Sequence, residues 1–194
     1  MLKGVGAATP EARIWHLLSR SRNWHRMAKP VGGEVEAVQL AASHLHGRVM
    51  LYCASIVWQG GKRLAQLAVS DDAGRHWRVL ASYPLAAAHL ALRPLGEGRC
   101  LVGAGSELAI WDPGHKIASA EIPTGATVLD LFWAPDDATG GVVYAGTTRG
   151  LYAWPIDRGE VIAEPGPEGP VLVLAGDGHT LWAGAHGGRI FRQA

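Results

Sequence analysis

Short apolar runs with a period of two, separated by Gly-rich turns, make up most of the chain. Alternate side chains of a strand point to opposite faces, so this period predicts β-strands rather than helices. Strands are predicted over Val49 to Trp58, Lys62 to Ser70 and Trp77 to Ser82, with Gly60-Gly61 as a two-residue hairpin turn. An apolar run at Val35 to Ala41 precedes them, and the four strands together predict one antiparallel sheet.

A shorter version of this unit recurs in the second half of the chain. Each copy has a first apolar run, a strand that ends in Ala-Gly, a short polar turn and another apolar strand. The Ala-Gly pairs start at Ala104, Ala145 and Ala183, which are 41 and 38 residues apart. Four-stranded blades of β-propellers repeat at about 40–50 residues. The period therefore predicts a repeat architecture in which each unit is a small sheet.

The turn after Lys62 to Ser70 carries a motif, Ser70-Asp71-Asp72-Ala73-Gly74-Arg75-His76-Trp77, which fits the pattern Ser-x-Asp-x-Gly-x-x-Trp. An Asp side chain accepts hydrogen bonds from nearby backbone N–H groups and closes a tight loop. Glycine permits a positive φ, and the tryptophan restarts an apolar strand. The motif resembles the Asp-box of β-propeller blades. The resemblance implies a structural role for Ser70, Asp72, Gly74 and Trp77.

Two later turns match this motif less closely. Trp111-Asp112-Pro113-Gly114 resembles the Trp-Asp end of a WD-repeat strand, and Pro155-Ile156-Asp157-Arg158-Gly159 takes the same place one unit later. On these residues the chain is similar to the broad Asp-box (BNR) and WD-like β-propeller superfamily over about residues 13–194.

The repeat and the resemblance imply an all-β fold, a small β-propeller of about four to five four-stranded blades. We expect one domain over residues 1–194, with 1–12 as a flexible N-terminal segment. The last unit ends at Phe191-Arg192 without a fourth strand, and we expect an N-terminal strand at 14–18 to complete it. Three arrangements stay open: a ring closed by one chain, a larger ring shared by two chains, and an open arc against another subunit.

The composition agrees with this fold, and the net charge limits which classes of partner are expected. The chain has 26 glycines, 11 prolines and eight tryptophans in 194 residues. A net charge of +1 argues against nucleic acid as a partner. Residues 1–30 nevertheless hold six basic residues against one acidic residue. This segment is either a solvated edge or a contact for acidic groups. Its candidate contact residues are Arg13, Arg20, Arg22, Arg26 and Lys29.

Cysteine and histidine usage favours neither a disulfide scaffold nor a metal site. Cys53 and Cys100 lie in apolar runs and are predicted to be buried free thiols. The nine histidines are dispersed, and the close pair His44-x-His46 does not make a four-ligand set. No cofactor motif appears. Neither a secretory signal nor a transmembrane run is visible, so we expect a cytoplasmic location and no membrane insertion.

The candidate binding residues lie at positions where the sequences of the repeats differ, next to strands whose sequences are similar. These positions flank or follow the turn between the second and third strands of each unit. Loops held by a rigid scaffold commonly carry binding, although such turns can also be tolerant solvent turns. The resemblance implies that Asp-box turns lie at the opposite end. The candidates are Gln59, Lys62, Glu107, Thr148, Arg149 and His186.

Catalysis receives little support. Asp-box sialidases use an arginine cluster, a Tyr–Glu pair and an Asp acid, and these sets are not visible here. Asp130 on a first strand and Glu107 in a turn are within reach of a central channel, but nothing in the sequence pairs them. We therefore expect a non-catalytic module for protein interaction or assembly, or an accessory subunit, similar to the propellers of photosystem assembly factors and sortilin receptors. The expected partner is another protein or a second copy of this chain. The alternative is a carbohydrate-active, sialidase-like or lectin-like propeller.

Overall fold

The computed structural model describes residues 15–17, 24–26, 28, 34–84, 89–136, 140–177 and 180–193. Within these ranges the regular structure is entirely β, in antiparallel sheets of consecutive strands. A short hairpin of β1 (Trp15–Leu17) and β2 (Trp24–Arg26) comes first. Sheet I follows, with β3 (Glu34–Leu45), β4 (Arg48–Gln59), β5 (Lys62–Ser70) and β6 (Arg78–Pro84).

Three smaller sheets complete the described chain. Sheet II contains β7 (Leu90–Gly96), β8 (Arg99–Ala104), β9 (Glu107–Trp111) and β10 (Lys116–Glu121). Sheet III contains β11 (Val128–Ala134), β12 (Val142–Thr147), β13 (Gly150–Pro155) and β14 (Ile162–Ala163). Sheet IV contains β15 (Val171–Gly176), β16 (Leu181–Ala185) and β17 (Arg189–Gln193). The predicted repeat is therefore a series of sheets whose strands follow chain order.

The sheets stack face to face with their first strands side by side. Strand β3 contacts β7, β7 contacts β11, and β11 contacts β15. Apolar side chains fill the layer between each pair of neighbouring sheets. Tyr52 and Cys100 lie between sheets I and II, Leu108 and Leu131 between II and III, and Leu174 belongs to the layer between III and IV. This is the blade arrangement of a small β-propeller, which confirms the predicted fold class.

The expected completion of sheet IV by the N-terminal strand is wrong for the described residues. Strand β1 pairs with β2, with Leu17 opposite Trp24, and the two form a sheet of their own. Sheet IV has three strands, ending at β17. Six residues separate Leu17 from Trp24, so β2 is the strand nearest to β1 in sequence, and no other described strand pairs with β1. The described residues of β15 and β3 do not pack together as β3 packs against β7, β7 against β11 and β11 against β15.

The predicted alignment of the repeats is also shifted in sheet II. Gly103 lies opposite Ala91 and Leu108, as Gly146 lies opposite Asp130 and Leu151. The structural equivalent of Gly146 is therefore Gly103, not Gly105 as the Ala-Gly pairs predict. The shift arises because Gly105 lies in the two-residue turn between β8 and β9. In sheet III the corresponding turn consists of Thr148 and Arg149, so Gly146 lies within the strand. In sheet IV the equivalent residue is Gly184, as expected.

Both cysteines are buried and free, as predicted. Burial raises the pKa of the Cys53 thiol to about 11 and places that of Cys100 well above its usual value. In the described ranges no helix is long and apolar enough to cross a membrane. The cytoplasmic location and the single domain over 1–194 stay predictions.

Candidate functional site

The antiparallel order of the strands gives the stack two different ends. The turns between second and third strands, at 60–61, 105–106, 148–149 and 186–188, all lie at one end, which we call the upper end. The connections from one sheet to the next lie there too. The turns between first and second strands, and between third and fourth strands, lie at the lower end. The sequence motif at 70–77 is therefore at the end opposite the candidate binding turns, as the resemblance implies.

All six candidate binding residues lie at the upper end, in or beside these turns. Gln59, Lys62, Thr148, Arg149 and His186 are exposed. Glu107 differs from them because its carboxylate is half-buried and binds the ammonium of Lys116 at 2.8 Å. The structure brings these residues to one end of the stack but does not gather them around a common cavity.

The backbones of the upper turns at 105–106, 148–149 and 186–188 are hydrogen-bonded to the connections between sheets. Ile122 N–H donates to the carbonyl of Ser106 at 2.9 Å, and Thr148 N–H donates to that of Thr127 at 3.0 Å. In sheet IV, His186 N–H donates to the carbonyl of Pro170 at 2.9 Å. These three turns are thereby fixed to the segment that leads into their own sheet or out of it. The side chains project from a rigid frame, which lowers the entropy cost of binding.

The lower-end motif at 70–77 is a closed structural turn. Asp72 Oδ1 accepts hydrogen bonds from the backbone N–H groups of Arg75 and His76 at 3.0 and 2.9 Å. Ser70 Oγ donates to the same oxygen at 2.9 Å and accepts from Gly74 N–H at 2.8 Å. Trp77 Nε1 donates to the Gly74 carbonyl at 3.1 Å. With Gly74 at φ +81°, the four predicted motif residues all take part in the turn.

The turn after β9 repeats this chemistry with a shorter spacing. Asp112 Oδ1 accepts from Gly114 and His115 N–H at 2.6 and 2.7 Å, and Asp112 Oδ2 lies 3.1 Å from His115 Nδ1. In the 70–77 turn, Asp72 Oδ2 lies 2.6 Å from His76 Nδ1. An Asp–His pair thus closes both turns. After β13, by contrast, the backbone N–H groups of Arg158 and Gly159 donate to the Pro155 carbonyl.

These hydrogen bonds shift the acidity of the two carboxyl groups. Donation from the backbone of His76, with further donation from its ring and from Ser70, holds the pKa of Asp72 well below its usual range. Desolvation alone would raise the pKa of Asp112. The N–H groups of His115 and Gly114 and the nearby positive charges outweigh it, and the pKa of Asp112 is lowered. Both groups are ionised structural acceptors rather than acids.

Asp130, a weak catalytic candidate, is a structural bridge between first strands. Its two oxygens accept hydrogen bonds from Arg93 Nη2 at 2.9 and 3.0 Å, and Oδ2 also accepts from Leu174 N–H at 2.8 Å. Arg93 Nε donates to the Leu131 carbonyl at 2.8 Å. Asp130 and Glu107 are therefore ion-paired with different cations. Arg93 is not among the sequence candidates, and the signal for it is a charged residue within each of two apolar first strands.

Two small cavities lie on the described surface. One of about 170 Å³ lies at the lower end between the two Asp–His turns, against Trp77, Arg78 and Pro113. Another of about 90 Å³ lies between sheets III and IV, against Leu151, Pro167 and Phe191. No group of three or more His, Cys, Asp or Glu side chains in the described ranges is placed to bind a metal. Arg13, Arg20, Arg22 and Lys29 lie outside those ranges, and Arg26 lies in β2.

Solved structures with the same fold are found at low sequence identity. The computationally designed Ika4 protein matches with a TM-score of 0.55 and 15% identity, over 86% of this chain and 97% of that chain. The designed Ika8 protein matches with a TM-score of 0.51 and 14% identity, over 86% of this chain and 61% of that chain. BBS1N, a β-propeller protein, matches with a TM-score of 0.53 and 15% identity, over 84% of this chain and 47% of that chain.

These similarities support the β-propeller fold and extend no further. The chain spans less than two thirds of Ika8 and of BBS1N. No family model matches the chain. No curated protein sequence matches it either. The similarity to the Asp-box family thus stays a resemblance, carried by the turn at 70–77.

Proposed function

We propose that this β-propeller is a non-catalytic interaction module that binds a protein partner through its upper end. The observation that carries the proposal is the set of exposed side chains at Lys62, Thr148, Arg149 and His186. The last three lie in turns whose backbones are hydrogen-bonded to the connections between sheets. A rigid frame with varied polar side chains suits recognition of a surface.

The chemistry of the carboxylates favours interaction over catalysis. Glycoside hydrolysis by the usual route needs two carboxyl groups that face one cleft. Asp130 accepts hydrogen bonds from Arg93 and the Leu174 N–H, and Glu107 accepts one from Lys116. Asp72 and Asp112 accept hydrogen bonds within their own turns. Each of these groups has a structural task, and we infer an accessory or assembly role within a larger complex.

The comparison with BBS1N offers an analogy of fold alone. That propeller was solved in complex with ARL6DN. Propellers host many unrelated functions, so the analogy names a kind of role and not a partner. The exposed cations Lys62 and Arg149 favour acidic groups on the partner surface.

Paired variants at the two ends test the proposal. Lys62→Ala/Arg149→Ala removes two positive charges from the upper end. Arg48→Ala/Arg158→Ala removes two from exposed positions at the lower end, so the two proteins have the same net charge. Partners are captured with wild-type protein, identified by mass spectrometry, purified and measured by calorimetry. We expect the upper-end variant to weaken binding at least about tenfold, which is about 1.4 kcal/mol, and the lower-end variant to bind as wild type.

Equal binding by both variants, or capture of no specific partner, would overturn this assignment. The lectin-like alternative has one observation in its favour, the exposed indole of Trp58, over which Arg63 lies at 5.7 Å from the ring centroid. Binding on a glycan array that is abolished by Trp58→Ala and retained by Lys62→Ala/Arg149→Ala would favour that alternative instead.

A further inference from the structure

The cavity of about 170 Å³ at the lower end lies where the closing turns of sheets I and II meet. We call it the lower-end cavity. Its apolar lining includes Met50 and Val69, which are 5% and 4% exposed and form the floor, together with Trp77 and Pro113. An engineered apolar cavity of about 150 Å³ holds benzene, so this volume suits a ligand of about six to nine non-hydrogen atoms.

Hydrogen bonds fix the polar and aromatic side chains that line the cavity. Trp77 Nε1 donates to a backbone carbonyl of its own turn at 3.1 Å, which holds the indole in place. Arg78 Nη2 donates to the Pro113 carbonyl and so reaches from sheet I to the turn after β9. The ring of His76 is held by Asp72, with Nδ1 2.6 Å from Oδ2. A site that is already formed loses little side-chain entropy when a ligand binds.

Two opposite charges on the rim of the cavity have no ionic partner among the described residues. Asp71 and Arg78 both line the cavity and are exposed, and they form no salt bridge with each other or with another described side chain. Arg78 lies near enough to Asp112 to help lower its pKa, but that carboxylate accepts hydrogen bonds from N–H groups of its own turn. The rim therefore offers one anion and one cation to a ligand.

This combination of charges and apolar surface defines the class of ligand. A carboxylate suits Arg78, because a guanidinium has five N–H donors and the Pro113 carbonyl engages one of the two on Nη2. An ammonium group suits Asp71 and the indole face of Trp77. A ligand with a single charge is attracted by one side of the rim and repelled by the other, whereas a zwitterion satisfies both. An apolar side chain would then displace water from the floor.

We propose that the lower-end cavity binds a free α-amino acid with an apolar side chain, such as leucine. The carboxylate lies at Arg78, the ammonium group at Asp71, and the side chain against Met50 and Val69. Ligands of this size bind modestly, so we expect a dissociation constant of about 0.1–1 mM. The cavity is at the opposite end from the candidate binding turns, so this proposal goes beyond the proposed partner binding and can fail without it.

Calorimetry of the full chain with leucine and three related compounds tests the assignment of each group. N-acetylleucine lacks the ammonium charge, leucinamide lacks the carboxylate, and glycine lacks the apolar side chain. We expect each of the three to bind at least about tenfold more weakly than leucine. The first two compounds also represent the C-terminal and N-terminal residues of a peptide, so they distinguish a free amino acid from the end of a polypeptide.

Variants of the two rim charges test the site itself. Asp71→Asn and Arg78→Gln should each weaken leucine binding at least about tenfold, and Asp71→Asn should also abolish the preference for leucine over N-acetylleucine. Arg75→Gln and Asp157→Asn are matched controls, because both residues are exposed at the lower end and outside the cavity lining. The controls should bind leucine as wild type does. The urea midpoint of each variant shows whether it is folded.

Nuclear magnetic resonance of isotope-labelled wild-type protein locates the site without any variant. Leucine should shift the indole N–H of Trp77 and the amides of 71–78, while the amides of 148–149 and 186–188 at the upper end stay unchanged. No shift with leucine, phenylalanine or methionine at about 10 mM would overturn the proposal. Equal binding of leucine and N-acetylleucine, or shifts that lie only outside the lower end, would equally overturn it.

Discussion

The carboxylate of Asp130 binds the guanidinium of Arg93 across the boundary between sheets II and III, at 2.9 and 3.0 Å. The same carboxylate accepts the N–H of Leu174 in the next sheet at 2.8 Å. One side chain therefore ties together the first strands of three successive sheets. Asp130 is 17% exposed and Arg93 is 42% exposed, so the pair is partly shielded from water.

Loss of this bridge should destabilise the stack. Asp130→Ala removes the acceptor of Arg93 Nη2 and of the Leu174 N–H, and hydrogen bonds to charged groups are each worth about 1.5–3 kcal/mol. We expect the free energy of unfolding to fall by about 2–4 kcal/mol, as measured by urea denaturation.

The control is another ion-paired carboxylate. Glu107 of β9 binds Lys116 of β10, and their side chains are 34% and 41% exposed. Glu107→Ala should cost about 1 kcal/mol or less, because exposed pairs contribute little. Equal losses in the two variants would show that Asp130 does not bridge the sheets.

Gly146 should not tolerate a side chain. A Cβ there would lie 2.8 Å from the carbonyl oxygen of Val171 and 2.9 Å from Val171 Cγ1, in the next sheet. Backbone cannot yield as a flexible side chain does, so sheets III and IV would have to separate. We expect Gly146→Ala to lower the free energy of unfolding by about 1–3 kcal/mol, measured by the same denaturation.

Gly166 provides the comparison for that substitution. A Cβ at Gly166 would meet nothing nearer than Leu151 Cδ2 at 3.9 Å, which is ordinary van der Waals contact. Gly166→Ala should therefore leave stability unchanged or raise it slightly by restricting the unfolded chain. If both variants unfold at the same urea concentration, the close packing at Gly146 is not a constraint.

Acid should destabilise the protein through its two Asp–His turns. The pKa values of Asp72 and Asp112 are lowered in the folded protein, while an unfolded Asp titrates near about 3.9. The unfolded state therefore binds more protons in acid. The stability from these groups is present in full above the unfolded pKa and is lost as the pH falls toward the folded values.

Urea midpoints at several pH values between about 6 and 3 measure this effect. Wild type should lose stability across that range, and Asp72→Asn/Asp112→Asn should lose less, because neither turn then holds a titrating carboxylate. Asp71→Asn, at the exposed neighbour in the same motif, serves as control and should keep the wild-type slope. An unchanged slope in the double variant would refute the assignment.

The two thiols should be unreactive in the folded protein. With a pKa of about 11, Cys53 is about 0.1% thiolate at pH 8, and burial restricts access further. Cys100 is likewise buried, and its pKa is raised. A thiol reagent such as DTNB should label both only on unfolding in urea. Rapid labelling of one thiol per chain in buffer would contradict this burial.

The sequence predicted the local structure well because local patterns determine it. The period of two placed the strands of sheet I within a few residues, and Gly60-Gly61 was correctly predicted as their turn. The motif at 70–77 predicted the hydrogen-bonded turn that Asp72 closes. These features depend on side-chain alternation, backbone φ and contacts between residues close in the chain.

The sequence could not predict contacts that join residues 25 to 37 positions apart in different sheets. The ion pair of Arg93 with Asp130 and the close packing of Gly146 against Val171 form only when the sheets stack. The predicted alignment of Gly105 with Gly146 failed because the repeats differ in register, which hydrogen bonds between strands decide. The resemblance implied that the candidate binding turns lie at the end opposite the motif at 70–77, and the order of antiparallel strands places them there.

The sequence by itself thus determined the strands, the closing turns and the repeat, since each is encoded over a few residues. Only the tertiary structure decided that β1 pairs with β2 rather than with β17. It also decided that Ile190 is exposed while its equivalents Leu108 and Leu151 are buried. The physical reason is that burial depends on which sheet lies against each face, and three similar apolar strands give no local sign of which one is last.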